Sequence, residues 1–275
     1  MGKLKIAIIS NDDTVFSLYA WNNVFRSRIF TEEYECMGFW ICDQKFKKQK
    51  GPDYWEWYLR TFKLWNFIKL SAFVISFKFF SFIKFLGGKY QLSFKKLCTV
   101  NKIPFGKTPT PNSPDFIAWT NANKIDVLII MVDHILKQEV LSIPKVCVLN
   151  KHASLLPTNK GLFPFFWATI ANQSHGITFH KVTEKIDVGD FYYQETEVDG
   201  YSLRSMVAFY FYAHKNYYKM LRTALENISI GNTISIDRLL TASYNSLPTA
   251  EDYMTFKKTG GKIVLLSDIF LPLTL

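Results

Sequence analysis

A chain of 275 residues can bury one large core, or a core with a short appendage. Its 48% hydrophobic and 20% charged content is that of an ordinary globular protein, although 17% aromatic residues is high. The net charge of +10 points to an anionic partner, whether a phosphorylated small molecule, a nucleic acid or a membrane surface. The four cysteines, Cys36, Cys42, Cys98 and Cys147, form no Cys-x-x-Cys pair and have no histidine at metal spacing, which argues against a zinc site. They read as reduced thiols of a cytoplasmic protein, and no signal peptide is visible.

The chain opens with a strand over 5–9 and a helix over about 14–26, with Asp12 or Asp13 as its cap. The loop between them lacks the Gly-x-Gly-x-x-Gly of a dinucleotide fingerprint. Residues 53–90 are dense in aromatics, from Trp55, Trp57 and Tyr58 to Phe82 and Phe85, interleaved with Lys63, Lys69, Lys78 and Lys84. The run 64–86 is long enough to cross a bilayer, but its internal lysines would each cost about 3 kcal/mol near the bilayer centre. Two readings stand: helices packed on a sheet or on a dimer partner, which is preferred, and a basic-aromatic helix lying on anionic lipid.

A Pro-rich loop ends near Pro114, and a helix over about 113–123 follows, with Ser113 as cap and Pro114 in the first turn. The apolar run 126–131 predicts a central parallel strand. After Asp133-His134-Ile135-Leu136 and a short helix comes another buried strand, 146–149, with Cys147 in the core. A helix over about 165–172 and strands over 176–182 and 190–198 follow. Residues 202–228 carry one long amphipathic helical pattern. The tail from Gly231 reads as extended segments with a turn at Gly260-Gly261.

The stretch most dense in chemistry is 148–194. The strand ending at Leu149 delivers polar residues at its carboxyl end, where open α/β sheets place ligands. Side chains of an extended chain alternate, so Asn150, His152 and Ser154 share a face, and Asp187 is available from a later loop. An amide, an imidazole, a hydroxyl and a carboxylate can polarise a carbonyl and manage protons in acyl transfer. Singly, each is more often an ordinary hydrogen-bonding residue; the constellation is what points to a site.

The ordered set Asn150-x-His152-x-Ser154-x-Leu156-Pro157, Gly161 and Pro164, Gly176-x-Thr178-x-His180, Asp187-x-Gly189 and Gln194 resembles the folate-dependent formyltransferases. The resemblance is specific over about 130–195. It implies an α/β fold: a Rossmann-like formyltransferase core with a central, mostly parallel sheet over 1–200, a helical aromatic insertion at about 53–90, and a C-terminal helix and extended tail over 201–275. It implies 10-formyl-tetrahydrofolate as co-substrate and no metal. Asn150, His152 and Asp187 take the catalytic positions, with Asn150 and His152 addressing the formyl oxygen and Asp187 orienting His152. Ser154 and Thr178 are supports, and His180 is structural. His134, Ile135, Leu136, Thr183, Ile186 and Asp187 would hold the folate. Asn11 and Lys160 would meet the acceptor, although the family commonly has Arg where Lys160 stands, and Lys lacks bidentate geometry.

Among the family's branches the chain is most like the bacterial nucleotide-sugar N-formyltransferases, whose tails often carry a Tyr-x-x-x-Pro-Thr segment like 244–249. Only about 75 residues follow Asp199, which disfavours the methionyl-tRNA enzymes with their sizeable C-terminal barrel. The expected acceptor is therefore a nucleotide-linked, in particular dTDP-linked, 3- or 4-amino-dideoxy sugar for O-antigen or another surface glycan. No nucleic-acid partner is expected, and homodimerisation stays open. The alternatives are a methionyl-tRNA or glycinamide ribonucleotide formyltransferase, or a non-catalytic relative binding a membrane or partner through 53–90.

Overall fold

The computed structural model describes residues 2–44, 54–196, 205–235 and 240–275. In chain order the elements are β1 (Lys5–Asn11), α1 (Phe16–Arg26), α2 (Ile29–Glu33), β2 (Glu35–Cys42), α3 (Tyr54–Leu86), α4 (Phe94–Val100), β3 (Phe105–Thr108), α5 (Pro114–Ala122), β4 (Val127–Met131) and α6 (Gln138–Leu141). They continue through β5 (Cys147–His152), β6 (Lys160–Gly161), α7 (Pro164–Ile170), β7 (Gly176–Lys181), β8 (Phe191–Thr196), α8 (Met206–Lys215), α9 (Tyr217–Ser229), β9 (Tyr244–Asn245) and α10 (Ala250–Lys258), to a 3-10 segment, Leu266–Thr274. A seven-stranded sheet has the order β3-β2-β1-β4-β5-β7-β8. The first five strands are parallel, and β7 and β8 close the far side antiparallel.

Strand periodicity sorts the central residues between two cores. Ile6 and Ile8 of β1, Val127 and Ile129 of β4, and Cys147 and Leu149 of β5 face the larger core. Their alternates Ala7 and Ile9, Leu128 and Ile130, and Val148 face the smaller one, packed against Phe116 and Val140. Both faces are covered, which is why these strands read as continuous apolar runs. The thiols are buried or half-buried, and burial pushes each to about 12, leaving them protonated and inert.

Asp13, rather than Asp12, caps α1: its carboxylate accepts from the amides of Val15, Phe16 and Ser17 at 2.9, 3.2 and 2.9 Å. Satisfying those otherwise orphaned donors stabilises the helix by about 1 kcal/mol. Helix α3 is interrupted at Lys63, whose φ of 69° is left-handed, so it forms arms over 54–62 and 64–86. One face is sealed into the larger core through Tyr58, Phe62, Phe73 and Phe77, and the three phenylalanines touch the rings of Phe16, Tyr19, Phe166, Phe211 and Tyr253. Burying one such ring contributes roughly 1.5–3 kcal/mol. The segment Glu56–Leu86 is long and apolar enough to cross a membrane, but these rings fasten it to the body.

Three expectations need correction. The single helix over 202–228 is two, α8 and α9, because Asn216 leaves helical geometry and turns its side-chain amide back to the Tyr212 carbonyl at 3.2 Å. The tail is not merely extended: Thr249 and Asp252 form a capping box that starts α10, and the 3-10 segment then packs along α3. Ser113 stands at the start of α5 but gives that helix no side-chain cap, since its hydroxyl pairs with Thr108 instead. The side chain of Trp55, the end of the strand expected over 190–198, the first residues of the 202–228 helix and the boundary expected at 200/201 lie outside the described residues.

Candidate active site

The parallel strands β1, β4 and β5 end side by side where the strand order reverses, β1 having β2 on one side and β4 on the other. Open α/β sheets bind ligands in this crevice. A cavity of about 640 Å³ opens there, within the range that holds a small-molecule ligand. Strand alternation places Asn150 and His152 on the Val148 face of β5 and Lys151 on the opposite face with Cys147 and Leu149, and the cavity at the end of the strand reaches all three.

Asn150, His152 and Asp187 converge, and His180 joins them. Asp187 Oδ2 lies 3.5 Å from His152 Nδ1, and its Oδ1 lies 3.6 Å from His180 Nε2. On the other edge of His152, Nε2 is 2.9 Å from the carbonyl of Asn159 and must carry a hydrogen. An Nδ1 proton would therefore make the ring an imidazolium paired with Asp187. His180 Nδ1 donates to the Lys181 carbonyl at 3.0 Å, and its Nε2 accepts from the Asn150 amide at 3.3 Å. Burial pulls the His180 pKa down to about 4, against the opposing pull of Asp187, so this ring is neutral at pH 7.

Two glycines make this convergence possible. Asp187 itself is left-handed, at φ 49°, a conformation Asp tolerates better than most residues. Two positions on, Gly189 has φ 149°, and a Cβ there would strike the carbonyl oxygen of Lys181. Gly161, at φ 89°, lies against the backbone of Asn245 and donates its amide to Asp187 Oδ2 at 2.8 Å. The spacing Asp-x-Gly is thus a turn requirement that aims a carboxylate. Ser154 and Thr178 sit behind the cluster. The Ser154 hydroxyl donates to the Thr158 carbonyl at 2.6 Å, and the Thr178 hydroxyl donates to the Ser154 carbonyl at 2.7 Å. Gln194 donates to the Leu156 carbonyl at 2.9 Å.

The residues expected to hold a folate, His134, Ile135, Leu136, Thr183, Ile186 and Asp187, all line the cavity. His134 is anchored by Nε2 on the Asp43 carbonyl at 2.7 Å, and the Ile135 carbonyl already accepts from Asn112 at 3.0 Å. Asn11 also lines it. Lys160 does not: its neighbours Gly161 and Leu162 do, while its backbone amide is tied to the Ser243 carbonyl at 2.9 Å.

Some cavity residues were not singled out from sequence. His180 holds a pattern position with an expected structural role, and it contacts both Asn150 and Asp187. Lys151 and Asp13 also line the cavity. Lys151 Nζ is 3.3 Å from Nε2 of His214, whose Nδ1 donates to the Tyr210 carbonyl at 2.6 Å. Burial pulls Lys151 down to about 7, with Asp13 opposing. A lysine inside Asn-x-His was the available signal; its histidine partner, 63 positions away, was not. Tyr244 and Leu247 complete the wall, brought in by pairing of β9 with β6 and held by Trp167 Nε1 on the Ser246 carbonyl at 3.0 Å.

Residues 107–201 match the family model described as formyl transferase. The methionyl-tRNA formyltransferase of Chlorobium limicola is 35% identical over 88 residues, 32% of this chain and 28% of that protein. The bifunctional polymyxin resistance protein ArnA of Wigglesworthia glossinidia brevipalpis is 34% identical over 99 residues, 35% of this chain and 15% of that one. Each match thus spans less than a third of the relative's length. Among solved structures, a sugar N-formyltransferase from Shewanella superimposes with a TM-score of 0.55 at 13% identity, over 93% of this chain and 87% of that one. An N-formyltransferase from Helicobacter canadensis, in complex with folinic acid and dTDP-3-aminofucose, gives 0.50 at 16% identity, over 90% and 72%. At these identities the structures show the shared fold.

Proposed function

We propose that this chain, whose residues 107–201 match the formyl transferase family model, moves a formyl group from 10-formyl-tetrahydrofolate to the amine of a nucleotide-linked amino sugar, in particular a dTDP-linked 3- or 4-amino-dideoxy sugar. The observation that carries the reading is the Asp187 carboxylate poised between His152 and His180, with Asn150 beside them at the mouth of the cavity. The acceptor amine attacks the formyl carbon, forming a C–N bond and a tetrahedral centre with an oxyanion and an ammonium. The Asn150 amide donates to the oxyanion, and the positive charge of a His152 ring protonated at both nitrogens stabilises it without a direct hydrogen bond. Asp187 holds that imidazolium and, through water, takes the proton the ammonium sheds. His152 gives a proton to the folate nitrogen as its bond to carbon breaks, leaving a formamide and tetrahydrofolate.

The sugar nucleotide as acceptor is supported by the coverage of the sugar N-formyltransferase fold across most of the chain, and by the exposed Tyr244 at the wall, an apolar face on which a base can stack. A second reading, methionyl-tRNA as acceptor, draws on the higher identity of the shorter match. The test is incubation with 10-formyl-tetrahydrofolate and a panel of dTDP-, UDP- and GDP-linked amino sugars, beside charged initiator tRNA, with formyl gain read by mass spectrometry. A formylated sugar is the expected product. Formylation of methionyl-tRNA alone would replace the proposal with the second reading.

A further inference from the structure

The whole excess charge of the chain lies in one stretch. Between residues 57 and 114 there are ten Lys and Arg and no Asp or Glu; the rest of the sequence holds 23 of each sign. The 64–86 arm of α3 runs through this stretch with two unlike faces. Phe73 and Phe77 are fully buried in the core, whereas Trp65, Ile68, Ile75, Phe79, Phe82 and Leu86 are 46–69% exposed. Their spacing of three, four and seven places them on one stripe, which is about 31 Å long at 1.5 Å per residue. Lys63, Lys78 and Lys89 are exposed along it, and Lys69 and Lys84 are half-buried beside it. The 3-10 segment packed on α3, where Ser76 donates to the Ile269 carbonyl, adds the exposed Phe270 and Leu273. An apolar stripe of this size on a free surface marks an interaction site.

We propose that this stripe docks on the surface of an anionic lipid bilayer, with α3 lying in the interfacial plane. Charge decides between a lipid surface and a second copy of the chain. Two copies meeting through this stripe would set lysines against lysines, with no carboxylate from 57 to 114 to relieve them. Anionic headgroups supply the missing sign, and acyl chains accept the rings, the combination that binds amphipathic basic-aromatic helices. The helix lies flat rather than crossing, since Tyr58, Phe62, Phe73 and Phe77 hold its inner face in the core. This inference is independent of the reaction assigned to the cavity.

Flotation of the full chain with vesicles of phosphatidylcholine and phosphatidylglycerol at 7:3, against phosphatidylcholine alone, tests it. The chain is expected to float with the anionic vesicles, at least tenfold more than with the neutral ones, and to be released by 0.5 M salt. Ile75→Glu/Phe79→Glu, at exposed positions, should lose at least tenfold of that binding with an unchanged circular dichroism spectrum. Lys78→Glu/Lys89→Glu should weaken binding while leaving the apolar stripe intact. A wild-type chain that stays behind with anionic vesicles, or an Ile75→Glu/Phe79→Glu chain that floats like wild type, overturns the proposal. A dimer in sedimentation that this double substitution breaks, with no flotation, would assign the stripe to a second copy instead.

Discussion

The backbone amide of Gly161 donates to Oδ2 of Asp187 at 2.8 Å, the same oxygen that faces His152. A carboxylate so held is fixed in orientation before any ligand arrives, and its charge faces Nδ1 of His152. Asp187→Asn keeps the shape and the Gly161 contact but removes that charge. We expect kcat to fall by about 100-fold or more, with the circular dichroism spectrum unchanged. His152→Ala should fall at least as far. Wild-type turnover in either variant would remove both residues from the mechanism.

Asn150 and His180 separate by what they touch. Asn150→Ala deletes an oxyanion donor, and a loss of about 10²–10³ in kcat is expected. His180→Phe preserves a ring but leaves the Asn150 amide without its acceptor. The expected result is a loss of roughly tenfold in kcat through misplacement of that amide, with little change in the KM for the folate. An effect on KM alone would mean that His180 only shapes the pocket.

Acid should unfold the chain early. Burial pulls His175 and His180 down to about 4 and His214 well below 6.5. The unfolded chain takes these protons near pH 6.5 and the folded chain only near pH 4 or below. Stability is therefore fully present above pH 6.5 and is lost as pH falls through that window. Urea midpoints at pH 7 and pH 5 should show the drop. In His175→Phe, which keeps a ring against Phe165, the drop should be smaller. Equal drops would mean that His175 does not titrate as its burial implies.

Lys151 works in the alkaline window. Its pKa is pulled from 10.5 to about 7 by burial, so between those values the unfolded chain holds a proton that the folded chain lacks. Stability rises with pH across that interval, and below pH 7 the folded state bears the full cost of a buried charge. Between pH 7 and pH 10 the urea midpoint of Lys151→Met should climb less than that of the wild type. Parallel curves would show that Lys151 stays charged throughout.

The central sheet was legible because β1, β4 and β5 are buried on both faces, and doubly buried strands write themselves as unbroken apolar runs. The same alternation put Asn150 and His152 on one side of β5. Periodicity stopped there: nothing in spacing says that Asp187, 35 positions after His152, folds back onto it, and that expectation rested on the ordered motif set. The break at Asn216 was hidden because the apolar pattern runs through it and only one amide interrupts the ladder. Helix α10 was hidden differently. Its Thr249-x-x-Asp252 box is a legible start signal, but the segment that follows is short and half polar, and only Tyr253 and Phe256 are buried. The contact of Lys151 with His214 needed the fold itself.

The two-rung ladder between β6 and β9 ties the wall of the cavity to a segment more than 80 residues downstream. Its fastenings are a handful: the Lys160 amide on the Ser243 carbonyl at 2.9 Å, the Leu162 amide on the Asn245 carbonyl at 3.0 Å, the Asn159 amide on the Ser243 hydroxyl at 2.8 Å, the Ser243 amide on the Pro157 carbonyl at 3.3 Å, and the Asn245 side chain on Asn159 Oδ1 at 3.1 Å. A seam this short has its own opening equilibrium, well below the cost of unfolding the central sheet. In deuterated solvent the Lys160 and Leu162 amides should exchange together and long before those of β1 or β4. An acceptor seated against Tyr244 would slow that pair first, making the seam a reporter of occupancy.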